Sequence, residues 1–260
     1  MRGILFDLDG VLYNAEEPIA GAAETVEWAR QEAIPHLFVT NTTSRSRADL
    51  AAKFAQLGIP GTEEQILTPS VAAAGWLGTG SPTALALFVP PLARKEFDEF
   101  RIVDDSAESG ASHVVIGDLG EAWDFKTLNR AFRLLHSNPA AKLVALGMTR
   151  YWQSPDGPAL DVAPFVVALE HATGRQAVVM GKPAKPFFEA AVRRLNLPPA
   201  QVLMIGDDIK GDVGGAQNAG LAGALVKTGK FRPGDSEGDI APDAVFESVA
   251  DLPGWWRNMS

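Results

Sequence analysis

The stretch GILFDLDGVLYN, residues 3–14, decides how the rest of the chain is read. Ile4, Leu5 and Phe6 make a short uninterrupted apolar run that stops on Asp7, and Asp9 and Gly10 follow after Leu8. A run that is apolar at every position suits a strand covered on both faces, as in a parallel sheet. Two carboxylates at its end either cap a turn through nearby backbone amides or hold something charged.

Further apolar runs of the same kind recur: HLFVT at 36–40, ALALFV at 84–89, HVVIG at 113–117, LVALG at 143–147, AVVMG at 177–181, VLMIG at 202–206 and GALVK at 223–227. Between them the spacing predicts helices over 21–33, 45–57, 69–77, 125–136, 164–172, 186–195 and 211–219. In the second of these, Ser44 stands where a cap belongs, Leu50, Phe54 and Leu57 supply apolar positions, and Gly58 follows the end. Strands alternating with helices predict parallel βαβ units, hence an α/β fold with a doubly wound parallel-sheet core. Pro and Gly punctuation from GTGSP at 78–82 to HATGRQ at 171–176 sets off about a hundred residues with strands and helices of their own. The expected organisation is a core of residues 1–79 and 179–260 with an α/β domain of residues 80–178 inserted in it.

Composition narrows the function classes. Among 260 residues, 46% are hydrophobic and 21% charged, the profile of a folded globular chain. A formal net charge of −9 argues against nucleic acid as a partner, because phosphate backbones are held by clustered Lys and Arg. The absence of cysteine removes disulfides, thiolate metal sites and thiol catalysis, so any metal must take oxygen or imidazole ligands. No secretory leader pattern opens the chain and no apolar run approaches the ~18 residues needed to span a bilayer. A soluble cytoplasmic protein without a membrane partner is the expectation. GTG at 78–80 lacks a preceding strand and a third glycine, and no GxxxxGK[ST] loop occurs, so dinucleotide and P-loop readings fail.

Ligands of an open parallel sheet bind at the carboxyl ends of its strands, which makes polar residues there worth collecting. Asp7 and Asp9 end the first run, Thr40 and Asn41 end HLFVT, Lys182 follows AVVMG, and Asp207 and Asp208 follow VLMIG with Asp212 one helical turn on. Each has an ordinary reading when taken alone: a turn, a helix cap, a surface charge, or acids complementing a helix dipole. An EF-hand is a poor fit to the first stretch, since counting from Asp7 places Leu12 and Pro18 where Gly and Glu are needed. His36, His113, His136 and His171 lack metal-pair spacing and are read as structural.

Taken in order, DxDG, a strand-end Thr, a Lys and GDDxxxxD resemble the four motifs of the haloacid dehalogenase superfamily of phosphohydrolases. TRYWQSPDG, PFVVALEHATG, VVMGKP, MIGDDIKGDVGGAQNAG and TGKFRPGD extend the resemblance to the branch whose large cap is inserted between the second and third motifs, subfamily IIA. The resemblance implies a Mg²⁺-dependent phosphatase acting on a small phosphorylated molecule through an aspartyl-phosphate. It implies Asp7 as nucleophile and Asp9 as general acid and base. The metal falls to Asp7, Asp207 and the main-chain carbonyl of Asp9. Phosphate falls to Thr40, Asn41 and Lys182, with Asp208 and Asp212 orienting metal waters or Lys182.

An Asp carboxylate attacking phosphorus splits one hard displacement into two easier ones, and a cation makes its approach to a phosphate dianion tolerable. Tyr151 and Trp152 before the turn SPDG look like a cap hairpin, either packing or lining the site. Pairing of two copies through the cap is a further implication of the resemblance. A binding module without turnover and a phosphotransferase using the same intermediate remain alternatives, and the particular substrate is left open.

Overall fold

The computed structural model describes residues 1–79, 84–154, 156–235 and 238–259, which group into two compact units. The first comprises Met1–Thr40, Arg47–Thr68 and Lys182–Ser260, the second Asn41–Ser46 and Pro69–Gly181. Residues 80–82 of the GTGSP stretch lie outside the described residues.

The first unit is built on a six-stranded parallel sheet. Its strands lie in the order Ala244–Phe246, Ala222–Val226, Val202–Gly206, Gly3–Asp7, His36–Val39 and Ile66–Leu67. Gly3–Asp7, Val202–Gly206 and Ala222–Val226 are buried along their whole length, as unbroken apolar runs require. Alternation sends Ile4, Phe6, Leu203 and Ile205 to one face, where Phe38, Phe54 and Val26 complete a core. Ala22–Gln31 contributes Val26 and Ala29 to that core, and Arg47–Gln56 contributes Leu50 and Phe54. The latter helix begins at Arg47, so Ser44 does not cap it. The Ser44 hydroxyl instead lies 3.2 Å from that of Thr42.

The short edge strands Ile66–Leu67 and Ala244–Phe246 fall outside the apolar runs read from the sequence, and two further elements of this unit escape the pattern as well. A short antiparallel hairpin pairs Tyr13–Asn14 with Glu17–Pro18, too brief to show a periodicity. A terminal helix over Leu252–Met259 carries Pro253 and Gly254 near its start, which hides it from a propensity reading. Pro is tolerated in a first helical turn, and buried Leu252 and Trp256 hold the helix down, with Trp256 edge-on to Trp28 at 6.1 Å.

The second unit holds a five-stranded parallel sheet in the order Val178–Val179, Lys142–Ala145, His113–Ile116, Ala84–Phe88 and Arg101–Ile102. Alternate residues feed two cores. Ala86, Phe88, Val114, Ile116 and Leu143 meet Phe125–His136 and Ala163–Thr173 on one face, while Leu85, Leu87, Val115 and Val144 meet Pro69–Leu77 on the other. Tyr151–Ser154 and Gly157–Leu160 form the expected hairpin, whose Pro155 lies outside the described residues. Tyr151 and Trp152 are both exposed on it.

Candidate active site

From Gly3–Asp7 the first unit's chain moves outward through His36–Val39 to Ile66–Leu67, then returns on the other side through Val202–Gly206 and Ala222–Val226. Strand order therefore reverses between Gly3–Asp7 and Val202–Gly206. An open α/β sheet offers its ligand crevice outside the carboxyl ends at such a reversal. Asp7 closes one of the two strands and Asp207 follows the other, while the register sets Asp7 level with Val39, one residue before Thr40.

Lys182 joins them. Its Nζ lies 2.7 Å from Asp7 Oδ1 and 2.7 Å from Asp212 Oδ1, and all three residues are buried. Burial alone would lower the Lys182 ammonium, but Asp212 and Asp7 outweigh it and hold it above its ordinary value. Burial pushes the Asp7 carboxyl up, and Lys182 pulls it back only in part. Asp212 is pushed up to about 7, first by burial and then by the charge of Asp7.

The position of Asp212 depends on a widened helical turn. Ile209–Gly214 is π-helical, with Val213 donating its amide to the Asp208 carbonyl five residues back at 3.3 Å. Asp208 accepts the Lys210 and Gly211 amides at 3.0 and 2.8 Å through Oδ1, so its carboxylate starts this helix. The Asp208 amide in turn donates to Asp212 Oδ2 at 3.2 Å, which turns that carboxylate toward the strand end.

Asp7, Asp207 and Asp212 each offer a carboxylate oxygen within 4.8 Å of the others. With Lys182 among them they carry a formal charge of −2 when ionised. Asp207 Oδ1 is buried with no hydrogen-bond partner, and burial raises the Asp207 carboxyl. A buried carboxylate oxygen left unpaired is costly, and a hard dication relieves it because such ions take oxygen donors and would neutralise the cluster. The donor set fits Mg²⁺.

One side of the cluster is closed by the loop that opens TGKFRPGD, residues 228–235, a stretch that carried the resemblance but to whose residues the motif reading gave no role. Thr228 Oγ1 donates to the Gly10 carbonyl, and the Lys230 amide donates to Asp207 Oδ2 at 2.7 Å. Gly10 (φ +82°) and Gly229 (φ +64°) approach each other against Asp207, and a Cβ on either would lie 2.1 Å from Asp207 Oδ2. Only glycine satisfies both the left-handed backbone and the close approach. The available signal was position: Thr228 comes just after the strand Ala222–Val226, at the same edge as Asp7 and Asp207.

Of the residues singled out from the sequence, Asp7, Lys182, Asp207 and Asp212 come together, and Thr40 is buried at the neighbouring strand end. Asp9 is exposed and its carboxylate is not part of the buried cluster. Asn41 belongs to the second unit. His36 is buried, bonding Ile34 O through Nδ1 at 2.8 Å, and His113 packs edge-on to Trp76. A cavity of about 810 Å³ in the second unit, lined by Phe88, Arg94 and Arg130 among others, contains none of the clustered carboxylates.

Two family profiles match the chain: haloacid dehalogenase-like hydrolase over residues 4–101 and HAD-hydrolase-like over residues 179–252. Human phospholysine phosphohistidine inorganic pyrophosphate phosphatase is 36% identical over 256 residues, covering 96% of this chain and 92% of that protein. Bovine haloacid dehalogenase-like hydrolase domain-containing protein 2 is 40% identical over 237 residues, covering 91% and 88%. The solved structure of a p-nitrophenyl phosphatase from Archaeoglobus fulgidus superposes with a TM-score of 0.85 at 26% identity, covering 98% of each chain. No helix among the described residues is long and apolar enough to cross a membrane.

Proposed function

This chain belongs to the haloacid dehalogenase-like hydrolases and is a phosphatase of that family, and we propose that Asp7 is its nucleophile and Mg²⁺ its metal. The convergence of buried Asp7, Lys182, Asp207 and Asp212 at the strand-order reversal is the observation that carries this assignment. Asp7 and Asp207 would hold the ion together with the main-chain carbonyl of Asp9. When bound, the ion supplies positive charge to the phosphoryl oxygens.

The reaction then follows from the chain's own groups. The Asp7 carboxylate attacks phosphorus, the bond from phosphorus to the leaving oxygen breaks, and Asp9 gives that oxygen its proton. Asp9 next takes a proton from the water that cleaves the aspartyl-phosphate, which restores both carboxyls and releases inorganic phosphate. Lys182 fixes Asp7 and offsets its charge as the dianion approaches, while Asp212 holds Lys182. Thr40 and Asn41 would donate hydrogen bonds to phosphoryl oxygens.

Residues 1–79 and 179–260 form the catalytic core in this proposal, and residues 80–178 an inserted domain that selects the substrate. Substrates would be small molecules bearing a phosphoester, phosphoramide or pyrophosphate bond, the classes named in the relatives. A cytoplasmic enzyme that pairs with a second copy completes the proposal. In the test, the purified protein with Mg²⁺ is screened against phosphorylated metabolites and p-nitrophenyl phosphate, with Asp7→Asn as control. Chelator-sensitive phosphate release lost in that variant is expected. Retained Mg²⁺-dependent turnover in Asp7→Asn would remove Asp7 from the nucleophile role, and preferential transfer to an added alcohol would make the protein a phosphotransferase.

A further inference from the structure

Lys53 stands apart from every motif residue, yet it is only 6% exposed. It projects from the helix Arg47–Gln56 onto the hairpin Tyr13–Asn14/Glu17–Pro18, which follows directly on Asp9 and Gly10. Its ammonium donates to the Ala15 carbonyl at 2.5 Å, lies 3.5 Å from Glu16 Oε1, and sits 4.0 Å from the centre of the Tyr13 ring. Taking an ammonium out of water is costly unless it is paired, and here a carbonyl, a carboxylate and an aromatic face together offset the cost.

What Lys53 grips is the one part of the hairpin that resists its own geometry. Ala15 has φ +49°, a left-handed conformation costing an L-residue about 1–2 kcal/mol. Tyr13, 2% exposed, is tied to the other end of the segment. The Gly10 amide donates to the Tyr13 carbonyl at 2.8 Å, and a bridge pairs Asp9 with Tyr13. The Ile19 amide donates to the Leu12 carbonyl at 3.0 Å and closes the hairpin's base. From the Lys53 ammonium a continuous set of contacts therefore runs through Ala15 and Tyr13 to the backbone of Asp9 and Gly10. Asp9 is exposed and lacks the packing that holds Asp7.

We propose that Lys53 is a positioning residue, which locks the 13–18 hairpin and thereby sets the orientation of Asp9 toward the leaving group. The assignment rests on the proposed phosphatase chemistry in which Asp9 is the general acid. It makes a distinctive prediction, because a general acid matters in proportion to how badly the leaving oxygen needs a proton. An alkyl phosphate such as glycerol 2-phosphate needs one, whereas p-nitrophenyl phosphate departs as a stable phenolate and scarcely does.

The experiment compares wild type, Lys53→Met, Lys53→Arg and Asp9→Asn on the two esters with Mg²⁺, reading kcat/KM. General acid catalysis is worth about 10²–10⁴-fold, so a misaimed Asp9 should cost the alkyl ester about tenfold more than the aryl ester. Lys53→Met is expected to show that selective loss, in the same sense as Asp9→Asn, and Lys53→Arg to restore most of it. Equal loss on both esters, or Arg no better than Met, would overturn the proposal. Hydrogen exchange supplies a reading free of catalysis: the Gly10 and Ile19 amides should exchange about tenfold faster in Lys53→Met than in wild type. Unchanged exchange there would also overturn it. Wild type hydrolysing neither ester would overturn the phosphatase reading alone, and the exchange measurement would still decide whether Lys53 holds the hairpin.

Discussion

Replacing Lys182 by Met should destabilise the protein by an amount that depends on pH. The ammonium lies 2.7 Å from a carboxylate oxygen of Asp7 and 2.7 Å from one of Asp212, with all three side chains buried. At an effective dielectric of about 20 each contact is worth ~6 kcal/mol of Coulomb energy, most of which repays desolvation. Removing one member of such a buried group costs about 3–5 kcal/mol, because the partners are left uncompensated. For a domain of this size, where 1 kcal/mol moves Tm by about 2–4 °C, the loss should be on the order of 10 °C without metal.

The cost has an escape route, which is protonation. Burial pushes Asp212 up to about 7 and also raises Asp7, each from an unfolded value of 3.8. For acids raised on folding, stability is fully present below the unfolded pKa and is lost as pH rises through the folded one. Without Lys182 both carboxyls rise further. The difference in Tm between wild type and Lys182→Met should thus be full at about pH 8 and shrink to a small fraction at about pH 5. Thermal unfolding followed by circular dichroism in chelator at both pH values measures it. A Tm difference equal at the two pH values, or none at the higher one, would refute the electrostatic account of the cluster.

Further outcomes follow from the same cluster. Mg²⁺ should raise the Tm of wild type more at about pH 8 than at about pH 5, since carboxyls raised by burial hold a cation less well as they take up protons; thermal unfolding at both pH values, with calorimetric titration for the affinity, would check it. Gly229→Ala forces a Cβ to 2.1 Å from Asp207 Oδ2 on top of a left-handed backbone, so Mg²⁺ affinity should fall about tenfold or more, with at least ~1 kcal/mol of stability lost to the backbone alone. Wild-type Mg²⁺ affinity in that variant, read by the same titration, would break the link between the 228–230 loop and Asp207 as the proposed metal ligand.

The central strands and most of the helices are legible in the sequence because strands buried on both faces write themselves as unbroken apolar runs, whereas the short edge strands Ile66–Leu67 and Ala244–Phe246 are not. Asp7, Thr40 and Asp207 are legible for a related reason: a parallel sheet gathers the ends of its strands at one edge, whatever their separation along the chain. Lys182 is reached differently, since the strand before it, Val178–Val179, belongs to the second unit's sheet, and Lys182 leads instead into the helix Lys185–Leu195. Asp212 is legible as a nearby acid but not as a neighbour of Asp7, since that depends on the widened turn at Ile209–Gly214. Asp208 shows the converse: at the same motif, its carboxylate serves the Lys210 and Gly211 amides. Lys53 left no signature, and Thr228, although it opens the quoted stretch TGKFRPGD, showed no role there. Each acts on a backbone carbonyl distant along the chain, Ala15 for one and Gly10 for the other, and a carbonyl has no residue type to recognise. The terminal helix was hidden by Pro253 and Gly254, whose poor propensity is overridden by the burial of Leu252 and Trp256.

Asp7 and Asp9 differ in environment more than in spacing, and the difference suits the nucleophile and general-acid roles proposed for them. Asp7 is 6% exposed and hemmed in by Lys182, Asp207 and Asp212, so its charge is opposed and its position held. A nucleophile benefits from that confinement, since a fixed carboxylate approaches phosphorus along one line. A proton carrier does not: within a cluster of four ionisable groups each gain or loss of a proton is coupled to the charge states of the other three. Asp9, exposed beyond the turn at Leu8, stands outside the buried cluster. Exposure brings freedom of movement, however, and a carboxyl that must reach one oxygen has to be aimed. The burial of Lys53 against the hairpin supplies that aim from outside the cluster, leaving the ionic balance of the nucleophile untouched.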